Sequence, residues 1–120
     1  MKQRLHARIE QIEVDGRSLE LKEVPLAELE FSAIDTGGGF HDPIFDLAFT
    51  IAPVDGQWAS DKEHTIRLLL CDPSDNKNKL EIFYDGRLQK IAGGKAEGMG
   101  RLKDEEVSRK MVGFVMRCLR

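Results

Sequence analysis

The sequence predicts an α+β fold: an antiparallel sheet or partly closed barrel of about six to seven strands, followed by a C-terminal helix. Three features carry this expectation. Two Asp-Gly dipeptides, Asp15-Gly16 and Asp85-Gly86, stand between alternating apolar and polar residues. Both central positions of the tight hairpin turn that such a pair favours need positive φ. Residues 45–51 place Phe45, Leu47, Phe49 and Ile51 on one side of an extended chain, the period of a half-buried strand. Residues 104–120 repeat their apolar positions at the period of a helix. A chain of 120 residues fits a single domain, 1–120, with enough core to fold without staples.

The first hairpin follows from "IEVDGRSLEL". If Val14 opposes Arg17, Ile12 opposes Leu19. Further back the apolar parity changes, from Leu5, Ala7 and Ile9 to Ile12 and Val14. One extra residue near Glu10-Gln11, a β-bulge, reconciles the two halves and sets Ile9 against Leu21. "VPLAELEFSAI" reads two ways: Pro25 suits the start of a helical turn, while Leu29, Phe31 and Ala33 alternate as a strand. The strand over residues 28–34 is preferred. "DTGGGFHDP" connects it to the strand that begins near Phe45. "DGQWASDKE" then loops out with Trp58 as an apolar anchor, and "HTIRLLLC" is a central strand, apolar on both faces towards its end. "DPSDNKN" is a polar turn. "KLEIFYDGRLQKIA" reads as a second hairpin, Tyr84 opposite Arg87, Phe83 opposite Leu88 and Glu81 opposite Lys90. "GGKAEGMG" reads as a flexible loop.

The last element opens with Asp104, Glu105 and Glu106 and closes with Arg117 and Arg120, the order that the helix dipole favours. At about 100° per residue, Val107, Met111, Phe114 and Cys118 form one stripe. Val112, Val115, Met116 and Leu119 widen the apolar arc to about 200°, more than one sheet should cover. Val112, Met116 and Leu119 are therefore the candidate interface with another chain, a homodimer being the commonest form of such contact. The element order resembles that of pleckstrin-homology modules, bent antiparallel barrels closed at one end by their last helix. The basic cluster of the phosphoinositide-binding members is missing from the first hairpin loop, which reads "VDGR".

Charge is unevenly spread. The net charge of −3 combines −8 over residues 1–86 with +5 over residues 87–120, and a basic tail on an acidic body complements its own molecule or an anionic partner. Nucleic-acid binding is not expected, since phosphate neutralisation needs more cations than this. No apolar run approaches the roughly 20 residues that span a bilayer, and "MKQRLHARIE" lacks the apolar region of a secretory signal. Cys71 and Cys118 both fall in apolar runs. Buried free thiols and a reducing cytoplasm are the expectation for them.

The glycine-rich stretch Asp35 to Asp46 invites three chemistries. As a phosphate cradle it lacks the following helix and the Lys-Ser or Lys-Thr pair. The second glycine loop precedes a helix, but that helix opens with carboxylates that repel phosphate. As a metal site, His41, Asp42 and Asp46 have no regular ligand spacing, and Asp42-Pro43 is turn chemistry. No metal and no cofactor are expected. For catalysis, His41, His64 and Cys71 are the candidate bases and nucleophile, without an elbow or triad signature around them.

Arg4 and Arg8 in "RLHAR" resemble the R-x-x-x-R motif of PilZ domains, β-barrels that bind cyclic di-GMP, and "EFSAID" resembles the D-x-S-x-x-G that follows it. Here Glu30 stands for the aspartate and Asp35 for the final glycine. The preferred reading is a non-catalytic binding or adaptor module acting through a protein surface. The first alternative is a small-ligand-binding barrel of degenerate PilZ-like or PH-like form, with Arg4, Arg8, Gly37, Gly38, Gly39 and His41 at its site and the glycine loop as rim. The second is a small hydrolase-like enzyme.

Overall fold

The computed structural model describes residues 2–32, 44–55, 58, 60 and 62–119. It contains β1 (Lys2–Val14), β2 (Arg17–Ser18), β3 (Leu26–Ser32), β4 (Phe45–Ile51), β5 (Glu63–Asp72), β6 (Asp75–Ile91), β7 (Lys95–Leu102) and α1 (Glu105–Cys118). The sheet order is β2-β1-β3-β4-β7-β6-β5, and β1 also pairs with β5. Six antiparallel strands thus close into a barrel, with β2 as an extra strand and α1 following the last strand. The α+β barrel expected from the sequence is the observed one.

Closure depends on β1, which serves two neighbours in turn. Its first half pairs with β3, from Lys2↔Ser32 to Arg8↔Leu26, and its second half with β5, from Arg8↔Cys71 to Val14↔Ile66. The register shifts between Ile9 and Gln11. The expected bulge is present, and it bends the strand so that it can leave one partner for the other. Val14 opposes Arg17 as expected, and the Leu19 amide donates to the Ile12 carbonyl. The hairpin ends there, however: Ile9 lies opposite Leu70, and Leu21 bridges to Pro53. The β3 strand starts at Leu26, directly after Pro25, so no helical turn opens it. Ala33 and Ile34 lie outside the described residues.

Asp15 (φ 52°) and Gly16 (φ 82°) make the left-handed turn that their dipeptide predicted. The turn is latched to β5. Asp15 accepts from the Thr65 amide (3.0 Å) and lies 2.6 Å from Nδ1 of the buried His64, while its own amide donates to the Thr65 carbonyl. The His64 contact, and secondarily the Thr65 amide, hold the Asp15 carboxyl below the usual carboxylate range. A native pKa below the unfolded value stabilises the fold above the unfolded pKa, and that stability is lost as pH falls through the native pKa. Wild-type stability should therefore fall more steeply than that of Asp15→Asn between about pH 5 and pH 2. Urea midpoints measured across that range decide it, and parallel curves would remove the latch.

The second Asp-Gly pair is not a turn, and the hairpin register built on it is overturned. β6 runs unbroken for 17 residues through Asp85 and Gly86. Tyr84 opposes Ile66, and Arg87 opposes Glu63 on one side and Met99 on the other. Gly86 is required there for space: a Cβ would lie 2.7 Å from Cε2 of Tyr84 and 2.9 Å from the Met99 carbonyl. The chain reverses instead at Gly93 (φ 82°) and Gly94 (φ 70°). The rest of the expected loop is β7, an internal strand between β4 and β6.

The inward faces of the strands supply Ile12, Leu29, Phe45, Leu47, Leu68 and Ile82 among others, and α1 adds Met111, Phe114 and Val115. Trp58 packs against this core and donates from Nε1 to the Leu88 carbonyl (3.2 Å). Asp104 caps α1, accepting from the amides of Glu106 and Val107. At its other end, the buried Asn78 of β6 donates to the Phe114 carbonyl (3.3 Å) and accepts from Nε of Arg117 (2.8 Å). Both cysteines are free thiols, and burial pushes the Cys118 thiol up to about 12. Among the described residues no helix is long and apolar enough to cross a membrane.

Candidate binding cleft beside the barrel seam

The strand pairing between β6 and β7 covers only part of their lengths. It runs from Arg87↔Met99 to Ile91↔Lys95. Beyond Met99, β7 continues to Leu102 paired with β4 alone, and residues 81–86 of β6 pair with β5 alone. The two strands part there, and α1 enters beside them, packed on β6. Alternate residues of a strand turn their N–H and C=O groups to opposite sides, so every second residue of 81–86 presents its backbone towards the seam.

A cleft of about 500 Å3 lies along this seam. Its walls are two consecutive stretches of chain, residues 81–85 and 101–104, closed by Glu106, Val107 and Lys110 of α1. Apolar and charged groups alternate around it. Phe83 stands on the outward face of β6 and is 53% exposed. Most charged groups of the lining already have partners: Glu81 with Arg67 at 2.5 Å, Arg101 with Asp46 at 2.9 Å, and Glu106 with Lys110 at 3.5 Å. Asp104 is taken by the helix cap, and Asp85 accepts from the Thr65 hydroxyl at 3.2 Å.

Tyr84 is the chain's one tyrosine. Its ring reaches across the seam: a Cβ placed on Gly100 of β7 would lie 2.7 Å from Cδ2 and 3.3 Å from Cζ of that ring. The side chain is 9% exposed, and its hydroxyl has no hydrogen-bond partner among the described residues. Burial raises the phenol pKa, so the group stays a neutral donor. Buried hydroxyls are normally paired, and this one is enclosed within the molecule.

The residues singled out from sequence fall elsewhere. Arg4 and Arg8 both project from the outer face of β1, four residues or about 13 Å apart along the strand. Arg4 lies directly opposite Glu30 and pairs with it at 3.1 Å. Lys2 and Arg4 together hold the Glu30 carboxyl below its usual range. Arg8 donates to Oδ1 of Asn76 (2.6 Å) and lies 3.7 Å from Glu10. The two guanidinium groups are thus engaged separately by the molecule itself. Gly37, Gly38, Gly39, His41 and Asp42 lie outside the described residues. Asp46 is held by Arg101, and among the described residues no three His, Cys, Asp or Glu side chains gather as a metal-binding group.

His64 and Cys71 sit seven residues apart on β5, about 23 Å along the strand, so this base and this thiol do not meet. The Cys71 sulfur is buried beside Arg8 (3.5 Å) and the Asp72 carbonyl (3.5 Å). On α1, Val112 is half-buried against the core, whereas Met116 and Leu119 are 47% and 61% exposed.

Sequence reasoning missed the cleft because it broke β6 at Gly86. Read as one strand, β6 carries Ile82, Tyr84 and Leu88 inward, and Phe83 becomes a large apolar residue on the polar side. That mismatch was the available signal. Compared with family models, curated proteins and solved structures, the chain matches none, so its fold and this geometry are what a functional reading rests on.

Proposed function

We propose that the protein is a non-catalytic binding module that engages a protein partner through the cleft beside β6, β7 and α1. The observation that carries this reading is the free edge of β6 along an open cleft, with the exposed Phe83 beside it. Loops and edges on a rigid barrel are where such scaffolds bind, and aromatic side chains supply much of the energy at protein interfaces. Panning a random peptide library on the immobilised protein tests the reading. Enriched peptides should lose at least tenfold in affinity for Phe83→Asp and keep it for an Arg4→Ala, Arg8→Ala variant. The reverse pattern would overturn this reading in favour of a small anionic ligand at the outer face of β1, where it must displace Glu30 from Arg4.

Self-association is a second form of the same reading, favoured by the exposure of Met116 and Leu119 on one side of α1. A Met116→Glu, Leu119→Glu variant should then be a folded monomer. Light scattering that finds the native protein monomeric at high concentration would end this form of it. Val112 is not a suitable probe, because its contact with the core makes a charge there a folding defect.

A further inference from the structure

Resting on that reading, we infer how the cleft holds its partner: an extended segment pairs with residues 81–86 of β6 as an added strand and sets a carboxylate side chain towards Lys103. The argument for an extended segment is the backbone. One long wall of the cleft is strand, residues 81–85 of β6, and the other is the end of β7 with the two residues that lead into α1; the first has strand partners on one side only. An edge of this kind recognises an extended chain through main-chain hydrogen bonds, with alternate side chains giving specificity. The five residues of that edge that line the cleft, 81–85, span about 13 Å, enough for the core of a short strand. A helix laid in the same cleft would satisfy its own backbone and leave the edge of β6 unused.

The charge follows from which lining groups are already paired. The acids Glu81 and Glu106 and the cations Arg101 and Lys110 are in ion pairs, while Asp104 caps α1 and Asp85 accepts from the Thr65 hydroxyl. Among the described residues Lys103, between β7 and α1, is the lining cation without an ion pair. A guest carboxylate complements it at the β7–α1 end of the cleft, whereas a guest cation would have to compete with the Thr65 hydroxyl for Asp85 or with the helix cap for Asp104. Phe83 offers an apolar contact to the guest side chain on the outward face.

The test uses synthetic eight-residue probes of alternating Val and Thr, with Glu, Gln or Lys at the centre. Binding is followed by amide shifts of the intact protein. Two further series carry N-methyl groups on either the odd or the even backbone amides. The expected result is a Glu probe that binds about tenfold more tightly than the Lys probe, with the preference reversed by Lys103→Glu. One N-methyl series should abolish binding and the other leave it within threefold, with hydrogen-exchange protection appearing at residues 81–86. Probes that bind beside Phe83 while tolerating both N-methyl series equally would overturn strand pairing and leave the cleft reading standing. Indifference of Lys103→Glu to guest charge would overturn the carboxylate. Binding by none of the probes, with Phe83→Asp also silent in the library experiment, would overturn both the inference and the reading beneath it.

Discussion

Gly98→Val should cost about 3 kcal/mol or more, at the upper end of what overpacking a core does. Gly98 lies on β7 directly opposite Phe49 of β4. A Cβ at this position would sit 2.6 Å from Cε2 and 2.7 Å from Cε1 of the Phe49 ring. The ring is 4% exposed and packs over the glycine backbone, the arrangement by which an aromatic neighbour covers a glycine in a strand. No flexible end is available to give way, because a ring carbon is the first atom met and the barrel wall stands behind it. The loss is a large share of the 5–15 kcal/mol that holds a domain together, and it corresponds to about 10 °C in melting temperature. Gly98→Ala should show a smaller loss of the same origin. Combining it with Phe49→Leu should recover about 1 kcal/mol relative to the sum of the single changes, since residues in contact do not add independently. Calorimetry of the four proteins gives the coupling directly. If residues 93–100 formed the flexible loop that their composition suggests, Gly98→Val would stay within about 0.5 kcal/mol of wild type.

β7 also shows why composition misled. Its inward positions are Ala96, Gly98, Gly100 and Leu102, and three of these four carry almost no side chain. The volume is filled from neighbouring strands, by Phe49 over Gly98 and Tyr84 over Gly100. Hydrophobic periodicity detects a strand by the apolar groups it contributes, so a strand whose core is supplied by others reads as a loop. Asp85-Gly86 misled for a related reason. The dipeptide is a local turn signal, but Ile82, Tyr84 and Leu88 face inward on both sides of it without a change of parity. That continuity outranks the dipeptide. At Asp15-Gly16, turn and pattern agree, and the Val14–Arg17 register was legible. The bulge at Glu10-Gln11 was legible because it leaves a parity change in the sequence itself. The strand partner across the bulge was not, since β1 turns from β3 to β5, and long-range choice of partner leaves no local trace. The candidate cleft depends on where β6 and β7 part, which is a property of the closed barrel.

The C-terminal helix offers the second large effect, with its control two residues away. Phe114→Ala should destabilise the protein by about 3–5 kcal/mol, the usual cost of deleting a buried aromatic side chain. Phe114 is fully buried in the shared core between Met111 and Val115 on α1. Its carbonyl also receives the Asn78 amide, so the residue ties the helix to β6 by packing and by backbone together. The backbone bond survives in the alanine variant, which assigns the loss to the ring. Met116→Glu, on the opposite side of the same turn, should change stability by no more than about 0.5 kcal/mol. The pair tests the orientation of α1, because a rotation of about 100° would exchange a buried for an exposed position. Urea unfolding of both variants is sufficient. A Met116→Glu loss as large as that of Phe114→Ala would place the Met116 flank inside the core and remove it as a surface for self-association. A mild Phe114→Ala would mean that the helix end is held by Asn78 and Arg117 and not by the ring, and the barrel would then be expected to retain strand structure when α1 is released.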